Sequence, residues 1–296
     1  MLNSSRLRVF REVVEQGSFS AAADALAYSQ SAVSQAIATL EGELGTPLIE
    51  RRRGGVRPTP AGAALAAHAG GILARMQAAE EEVAAIARGR GGRLRIASFP
   101  TAGAALMPRV IAAFRASHPG VEVNMAEGEP EEIAPALRAG EYDLALLFEF
   151  EGVGERLGAG MRRFELTDDP LRLLLPAGHR LAGRERIELA DLRDEPWVLT
   201  SAASASAKHV VRSCHAAGFE PIVSFESDDY LTVQGLVGAG VGIALVPELA
   251  LLPARGDLAR RDLHPASPVR KVFAATPRAA PATPAIATMV DILRAR

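Results

Sequence analysis

The chemistry of this sequence starts at Gln30, Ser31, Ser34 and Gln35, inside the stretch SQSAVSQAIATLEGEL that runs from Ser29 to Leu44. A glutamine amide can grip an adenine edge through two hydrogen bonds, and a serine hydroxyl donates or accepts toward a base or a phosphate. Serine is a mediocre helix former because its hydroxyl competes for nearby backbone groups. Its enrichment in the leading half of a helical stretch therefore points to contact with a polar partner. Downstream, Arg51, Arg52, Arg53 and Arg57 flank a Gly-Gly pair. Guanidinium groups in such a cluster suit phosphate oxygens, which attract them without regard to base sequence and in proportion to low salt. The plainer reading of both features is a solvated helix face and a solvated basic loop. Glu41, Glu43 and Glu50 leave the segment without a general basic excess, so the arginines form a focused cluster.

These residues need elements to hold them. Val33, Ile37, Leu40 and Leu44 step by four, three and four, drawing one apolar stripe opposite the serines and glutamines. Before them, Leu7, Phe10 and Val14 fall at helical spacing, Gly17 ends that segment, and Ser18 has the character of an N-cap for a second helix, FSAAADALA. A short turn around Tyr28 leads into the third. After Gly45, an extended piece at Leu48 and Ile49, the arginines and the Gly-Gly turn outline a two-stranded wing with a basic tip, and Thr59 beside Pro60 signals a new helix. Three helices and a basic wing make a winged helix-turn-helix, whose third helix lies in the major groove with its N-terminal residues at base edges. The new helix spans about residues 60–87. Leu65, Ala69, Ile72, Met76, Ala79, Val83 and Ile86 alternate steps of four and three, the seam of a coiled coil, which calls for a partner helix from a second copy. The plainer alternative is an amphipathic helix packed on its own domain. RGRGG, from Arg88 to Gly92, then breaks the helix as a hinge.

From Arg93 onward, strand-like runs alternate with helical ones: LRIAS, VEVNM, DLALLF, LRLLLP, WVLT, IVSF, GIALVP and KVFAAT. That alternation predicts an α/β fold with a mainly parallel, doubly wound sheet, divided into two smaller lobes. Ligands of such sheets sit beyond the carboxyl ends of strands, next to helix N-termini. Three loops meet that condition, and with them come the candidate ligand contacts Ser98, Phe99, Thr101, Phe148, Thr200, Ser201, Ser204 and Asp229. Their hydroxyls and free backbone N–H groups suit a small carboxylate or other polar ligand. Each hydroxyl taken singly could equally cap the next helix. Glu127, Glu129, Glu149, Asp228 and Asp229 lie near neighbouring element ends, so an anionic ligand is not assured.

Composition sets the outer bounds. The chain has 296 residues, 48% of them hydrophobic and 23% charged, with 33 Lys+Arg against 35 Asp+Glu for a net charge of -2. Such a chain folds, is long enough for two domains, and lacks any global basic signature. The single cysteine, Cys214, cannot form an intrachain disulfide and fits a reducing, cytoplasmic setting. No signal peptide and no run of about 18 apolar residues is present, so no membrane association is expected. GAGVG (Gly238 to Gly242) precedes its strand and so is a helix-to-strand turn, not a dinucleotide loop. The histidines, His209 and His215 included, lack metal-ligand spacing, and Cys214 reads as a small core residue in preference to a redox sensor. No cofactor, metal or catalytic constellation is expected.

Residues Leu7 to Gly62 resemble the DNA-binding domain of the LysR-type transcriptional regulators, in the Ser-Ala-Val-Ser-x-x-Ile-x-x-Leu-Glu core at Ser31 to Glu41, then Leu44-Gly45, Leu48, Arg51 and Thr59-x-Ala61-Gly62. DPLRLLLPAGHRLAG (Asp169 to Gly183) and GAGVGIALVPE (Gly238 to Glu248) resemble the family's effector-binding domain. Ile49 departs from the family, which usually has Phe there. The resemblance implies a winged helix-turn-helix over 1–62, a linker and dimerisation helix over 60–88, and a two-lobed, periplasmic-binding-protein-type domain over 89–296. Lobe I would take about 93–165 and 268–296, and lobe II about 166–267. It further implies that Ser18, Gln30, Ser31, Ser34, Gln35 and Thr59 with the four arginines contact double-stranded promoter DNA. A small-molecule effector would bind between the lobes, a homodimer or homotetramer would form through the linker helix, and RNA polymerase is a further partner the resemblance admits. The rival from another class is a solute-binding or enzymatic α/β protein carrying a helical N-terminal extension.

Overall fold

Asn3 accepts a hydrogen bond from the Arg6 N–H and so starts α1 (Ser4–Gln16), which Gly17 ends in the left-handed conformation. In the computed structural model, which describes residues 2–52, 55–87, 92–151, 157, 160–251, 255–278 and 283–295, α1 buries Leu7, Val9, Phe10 and Val13. Val14, expected on that stripe, is only partly buried, because the step of three from Phe10 points closer to the core. Ser18 caps α2 (Phe19–Leu26) and Ser29 caps α3 (Gln30–Leu44). Val33, Ile37 and Leu40 of α3 join α1 and α2 in a core of their own. Leu44 does not: at the last turn of α3 it has run past that core and is 41% exposed.

The wing follows as β1 (Ile49–Arg52) and β2 (Gly55–Pro58), paired antiparallel with Arg51 opposite Val56. Thr59 then starts α4 (Pro60–Ala87). Along α4 the expected seam divides into two. Leu65, Ala69 and Ile72 pack into the core of α1 to α3, with Ala69 fully buried. Met76 and Val83 remain 43% and 68% exposed. The first half of the seam is thus spent within the chain, and the second half is left wet. Ile86 lies in α4, but its surroundings fall outside the described side chains. Gly71 lets α4 bear on the following domain, since a Cβ there would collide with the Ala139 carbonyl.

The rest of the chain runs β3 (Arg93–Ser98), α5 (Pro100–Ala105), α6 (Met107–Ser117), β4 (Glu122–Glu127), α7 (Pro130–Ala139), β5 (Leu144–Phe150), β6 (Met161–Pro176), β7 (Ile187–Glu188), β8 (Pro196–Leu199), α8 (Ala205–Ala216), β9 (Ile222–Glu226), α9 (Tyr230–Gly238), β10 (Ala244–Pro247), β11 (Leu258–Arg261), β12 (Leu263–His264), β13 (Val269–Pro277) and α10 (Pro284–Arg294). Among the described strands, one sheet has the order β10-β6-β13-β5-β3-β4, with β11 also paired to β6. The pairs β3 with β4, β3 with β5, and β8 with β9 are parallel, as the βαβ pattern predicts. The mainly parallel sheet expected from sequence is corrected at β6 and β13, which pair antiparallel with each other and with β5, β10 and β11. An antiparallel pair does not need the right-handed crossover of a βαβ unit, so these two long strands need not share the parallel sense. LRLLLP is only the second half of β6. Its first half reads as charged, and its charges are met within and across the strands: Arg163 bonds Glu165 on β6 and Glu149 on β5 and lies over the Phe273 ring at 3.7 Å, and Asp168 meets Lys271 at 2.9 Å.

Candidate DNA interface and effector cleft

The leading half of α3 presents Gln30, Ser31 and Gln35 to solvent, with Ser34 half-buried at the edge of the same face. The opposite face is pinned by Val33, Ile37 and Leu40. The Ser29 hydroxyl accepts from the Ala32 N–H at 3.2 Å and lies 3.0 Å from the Ser31 hydroxyl. Tyr28, 54% exposed, stands beside this start. The helix end is therefore capped and carries short polar groups, which suits reading base edges.

Position of the wing relative to α3 depends on Glu41, the last residue of the Ser31-to-Glu41 motif, whose bonding partners no local spacing points to. The Glu41 carboxylate accepts from the backbone N–H groups of Leu48 (2.7 Å) and Ile49 (3.1 Å). The Val56 N–H donates to the Gly17 carbonyl at 2.9 Å, and a Cβ at Gly55 would sit 2.6 Å from that oxygen, so glycine is required for the approach. Arg57 and Arg52 are exposed on the hairpin, Arg52 pairing with Glu50 at 3.0 Å. Arg51 occupies β1, and Arg53 lies outside the described residues. The hydroxyls of Ser18 and Thr59 are engaged locally. Ser18 caps α2, and Thr59 donates to the Pro47 carbonyl (2.8 Å) while accepting from the Gly62 N–H (3.0 Å).

The second site is a cleft enclosing about 360 Å³, open solvent at its mouth included. Of the residues singled out from sequence, Phe99, Thr101, Phe148, Thr200 and Ser204 line it. Ser98 is fully buried with its hydroxyl on the Phe99 carbonyl, the Ser201 N–H donates to Asp228 at 2.8 Å, and Asp229 caps α9 by accepting from Leu231 and Thr232. Those three stand behind the lining. Sequence reasoning passed over Ser206, Tyr230 and Arg270, which do line the cleft, and gave Glu129 and Asp228 no contact role.

Arg270 is the centre of this site. Its side chain is 1% exposed, as is that of Asp169, and its Nε donates to the Asp169 carboxylate at 2.7 Å. Its terminal nitrogen donates to the Thr101 hydroxyl at 2.5 Å, and its guanidinium lies 4.9 and 4.7 Å from the rings of Phe99 and Phe148. The other Asp169 oxygen accepts from the Leu249 N–H at 3.1 Å. The pair, which faces itself across the antiparallel register of β6 and β13, thus ties the head of α5 to the segment after β10. Burial raises the Glu129 carboxyl above the usual carboxylate range, with Glu131 adding to the rise and Arg270 opposing it. Burial likewise raises the Tyr230 phenol, which bonds Ser206. The Thr200 and Ser204 hydroxyls lie 2.7 Å apart at the head of α8.

Among the described residues, no helix is long and apolar enough to cross a membrane, and no group of His, Cys, Asp or Glu is placed to hold a metal ion. Cys214 is buried, and burial pushes its thiol up to about 12.

Comparison with known proteins bears on both sites. The model described as "Bacterial regulatory helix-turn-helix protein, lysR family" matches residues 4–63, and that described as "LysR substrate binding domain" matches residues 87–296. The chain is 34% identical to the "Probable HTH-type transcriptional regulator LrrA" of Synechococcus elongatus, over 99% of this chain and 97% of that one. It is 33% identical to the "Probable hydrogen peroxide-inducible genes activator" of Mycobacterium avium, over 87% of this chain and 81% of that one. In fold it is similar to CbnR, a LysR family transcriptional regulator solved in complex with its target DNA, with a TM-score of 0.69 at 24% identity over 99% of both chains.

Proposed function

The chain belongs to the LysR family of DNA-binding transcriptional regulators, and from that membership we propose that α3 enters the major groove of promoter DNA leading with Gln30, Ser31, Ser34 and Gln35. The protein is a regulator with an effector-binding domain, not an enzyme. The observation that carries the reading is the two-sided build of α3, polar and exposed in front, apolar and buried behind. Arg51, Arg52, Arg53 and Arg57 take backbone phosphates, and Ser18 and Thr59, whose hydroxyls hold helix starts, approach the backbone through those helix ends.

The exposed second half of the α4 seam pairs with a second copy, so that two modules reach two half-sites and gain affinity through effective concentration. The chain divides into 1–62 for DNA, 60–88 for the linker and 89–296 for the effector, with lobes near 93–165 plus 268–296 and near 166–267. It works in the cytoplasm, where its DNA is. A small molecule in the cleft biases lobe closure and through α4 the spacing of the DNA modules, which requires two states of different effector affinity. Peroxide is a poor fit as the signal. Thiol oxidation proceeds through the thiolate, and the single Cys214 is buried, its thiol is raised to about 12, and a second thiol is lacking in the chain.

Gel shifts of the full chain against the DNA upstream of its own gene, over a range of salt, test the reading. Preference for that DNA over scrambled sequence should persist at moderate salt. Loss of all preference there overturns it.

A further inference from the structure

The turn between α2 and α3 holds its backbone fixed and turns its one large side chain outward. The Tyr28 N–H donates to the Ala23 carbonyl at 2.9 Å and the Ala27 N–H to the Asp24 carbonyl at 3.2 Å. Ala27 is the one non-glycine residue with a positive φ among the described residues, a conformation that persists only where its surroundings hold it. Among the described large apolar side chains of residues 2–58, the exposed ones are Leu2, Tyr28 and Leu44, and Tyr28 is the most exposed, at 54%, and the one aromatic. Ala25, Ala27, Ser29 and Ser31 around it are exposed and short, so the phenol reaches furthest from this corner. Tyr28 stands just before the Ser29 cap, where an apolar side chain packs on the residue five positions on, here the buried Val33. That packing has no use for a hydroxyl, and no hydrogen bond among the described residues engages this one.

In a helix-turn-helix the first helix crosses the DNA backbone while the second enters the major groove. The turn from α2 to α3 therefore lies at the rim of the groove, where the phosphates run. We propose that the Tyr28 hydroxyl donates a hydrogen bond to a backbone phosphate at that rim and so fixes how α3 enters the groove. A phenol is uncharged, so the contact adds affinity without regard to base sequence and without releasing a counterion. Its signature differs from those of a base-reading amide and a phosphate-bound arginine. The assignment rests on α3 entering the groove, and the test separates the two.

Tyr28→Phe keeps the ring and its packing and removes the hydroxyl alone. In fluorescence titrations of the full chain on its upstream DNA and on scrambled DNA at several salt concentrations, this variant should bind both about three- to tenfold more weakly, the worth of one hydrogen bond. Its salt slope and melting temperature should match those of the wild type. Replacing the phosphates of the upstream DNA one at a time by neutral methylphosphonates then locates the partner: at one position the wild type should lose more affinity than Tyr28→Phe does. Binding by Tyr28→Phe equal to the wild type, or equal losses at every phosphate, overturns the contact while α3 keeps its place, provided that the wild type still prefers the upstream DNA. A loss confined to the upstream DNA overturns the phosphate in favour of a base contact, and a lowered melting temperature makes the hydroxyl structural. A wild type without preference for the upstream DNA removes the reading of α3 and this contact with it.

Discussion

Ser31 and Ser206 carry the same hydroxyl into two different settings. On α3, Ser31 is exposed, part of a face built on a rigid apolar stripe and separated from the larger core of the chain. Ser206 is 9% exposed at the head of α8, bonded to Tyr230 and within a cleft lined by the buried Arg270. The proposed DNA face keeps its polar groups in water, so their removal should cost binding and little stability. In the cleft, polar groups are part of what holds the domain together, so stability and binding should fall together.

The comparison breaks most visibly at Asp169. Asp169→Ala leaves the Arg270 guanidinium buried without its counter-charge, at a cost of about 3–5 kcal/mol. Urea unfolding should show the effector-domain transition move by that amount while the N-terminal transition, with its separate core, stays put. A loss under about 1 kcal/mol would mean the pair is solvated and the cleft softer than described. Next in size is the α4 seam. Met76→Glu combined with Val83→Glu puts charge on the exposed half alone, so sedimentation should show monomers while the melting of the N-terminal domain is unchanged. Unaltered oligomers would move the interface elsewhere.

A smaller effect tests burial between α8 and β5. His209 stacks on Phe150 with ring centres 4.2 Å apart, and burial, aided by Arg212, lowers its imidazole from 6.5 to about 4. The folded state holds it neutral, so the unfolded chain takes the proton first. The stability from His209 is therefore present above pH 6.5 and is lost as pH falls from there toward 4. His209→Phe keeps the stack and should flatten that part of the stability profile. The smallest change concerns the DNA side. Ala27, between α2 and α3, adopts the left-handed conformation at φ 54°, which costs a non-glycine residue roughly 1 kcal/mol. Ala27→Gly should raise the N-terminal domain's stability by a comparable amount in thermal unfolding, and a fall would show that the side chain contributes contacts.

The same contrast explains what the sequence made legible. The DNA face is contiguous: Ser29 to Gln35 carries cap, polar face and stripe, so local spacing sufficed, and the ends of α4 were marked by Thr59, Pro60 and the following glycines. The cleft is assembled from segments far apart in the chain, and Arg270 meets Asp169 only through the register of β6 with β13. A lone arginine at a strand start carries no local sign of that. Charged Met161 to Asp168 likewise concealed a strand, because cross-strand pairing, absent from any local pattern, is what makes those charges tolerable there. In α4, one apolar period serves both the intrachain core and the exposed seam, so spacing alone could not divide them. Glu41 was hidden for a related reason: its two backbone partners lie beyond the helix end.

The central claim is that α3 reads bases while the arginine hairpin holds the backbone. Fluorescence anisotropy of the full chain on its upstream DNA and on scrambled DNA, across a salt series, tests it directly. Gln35→Ala should weaken cognate binding by about 1–3 kcal/mol, shrink the cognate-to-scrambled ratio and leave the salt slope unchanged. Arg57→Ala should weaken both DNAs alike and make the slope shallower by about one. Equal losses on both DNAs for Gln35→Ala, or an unchanged slope for Arg57→Ala, would contradict the assignment.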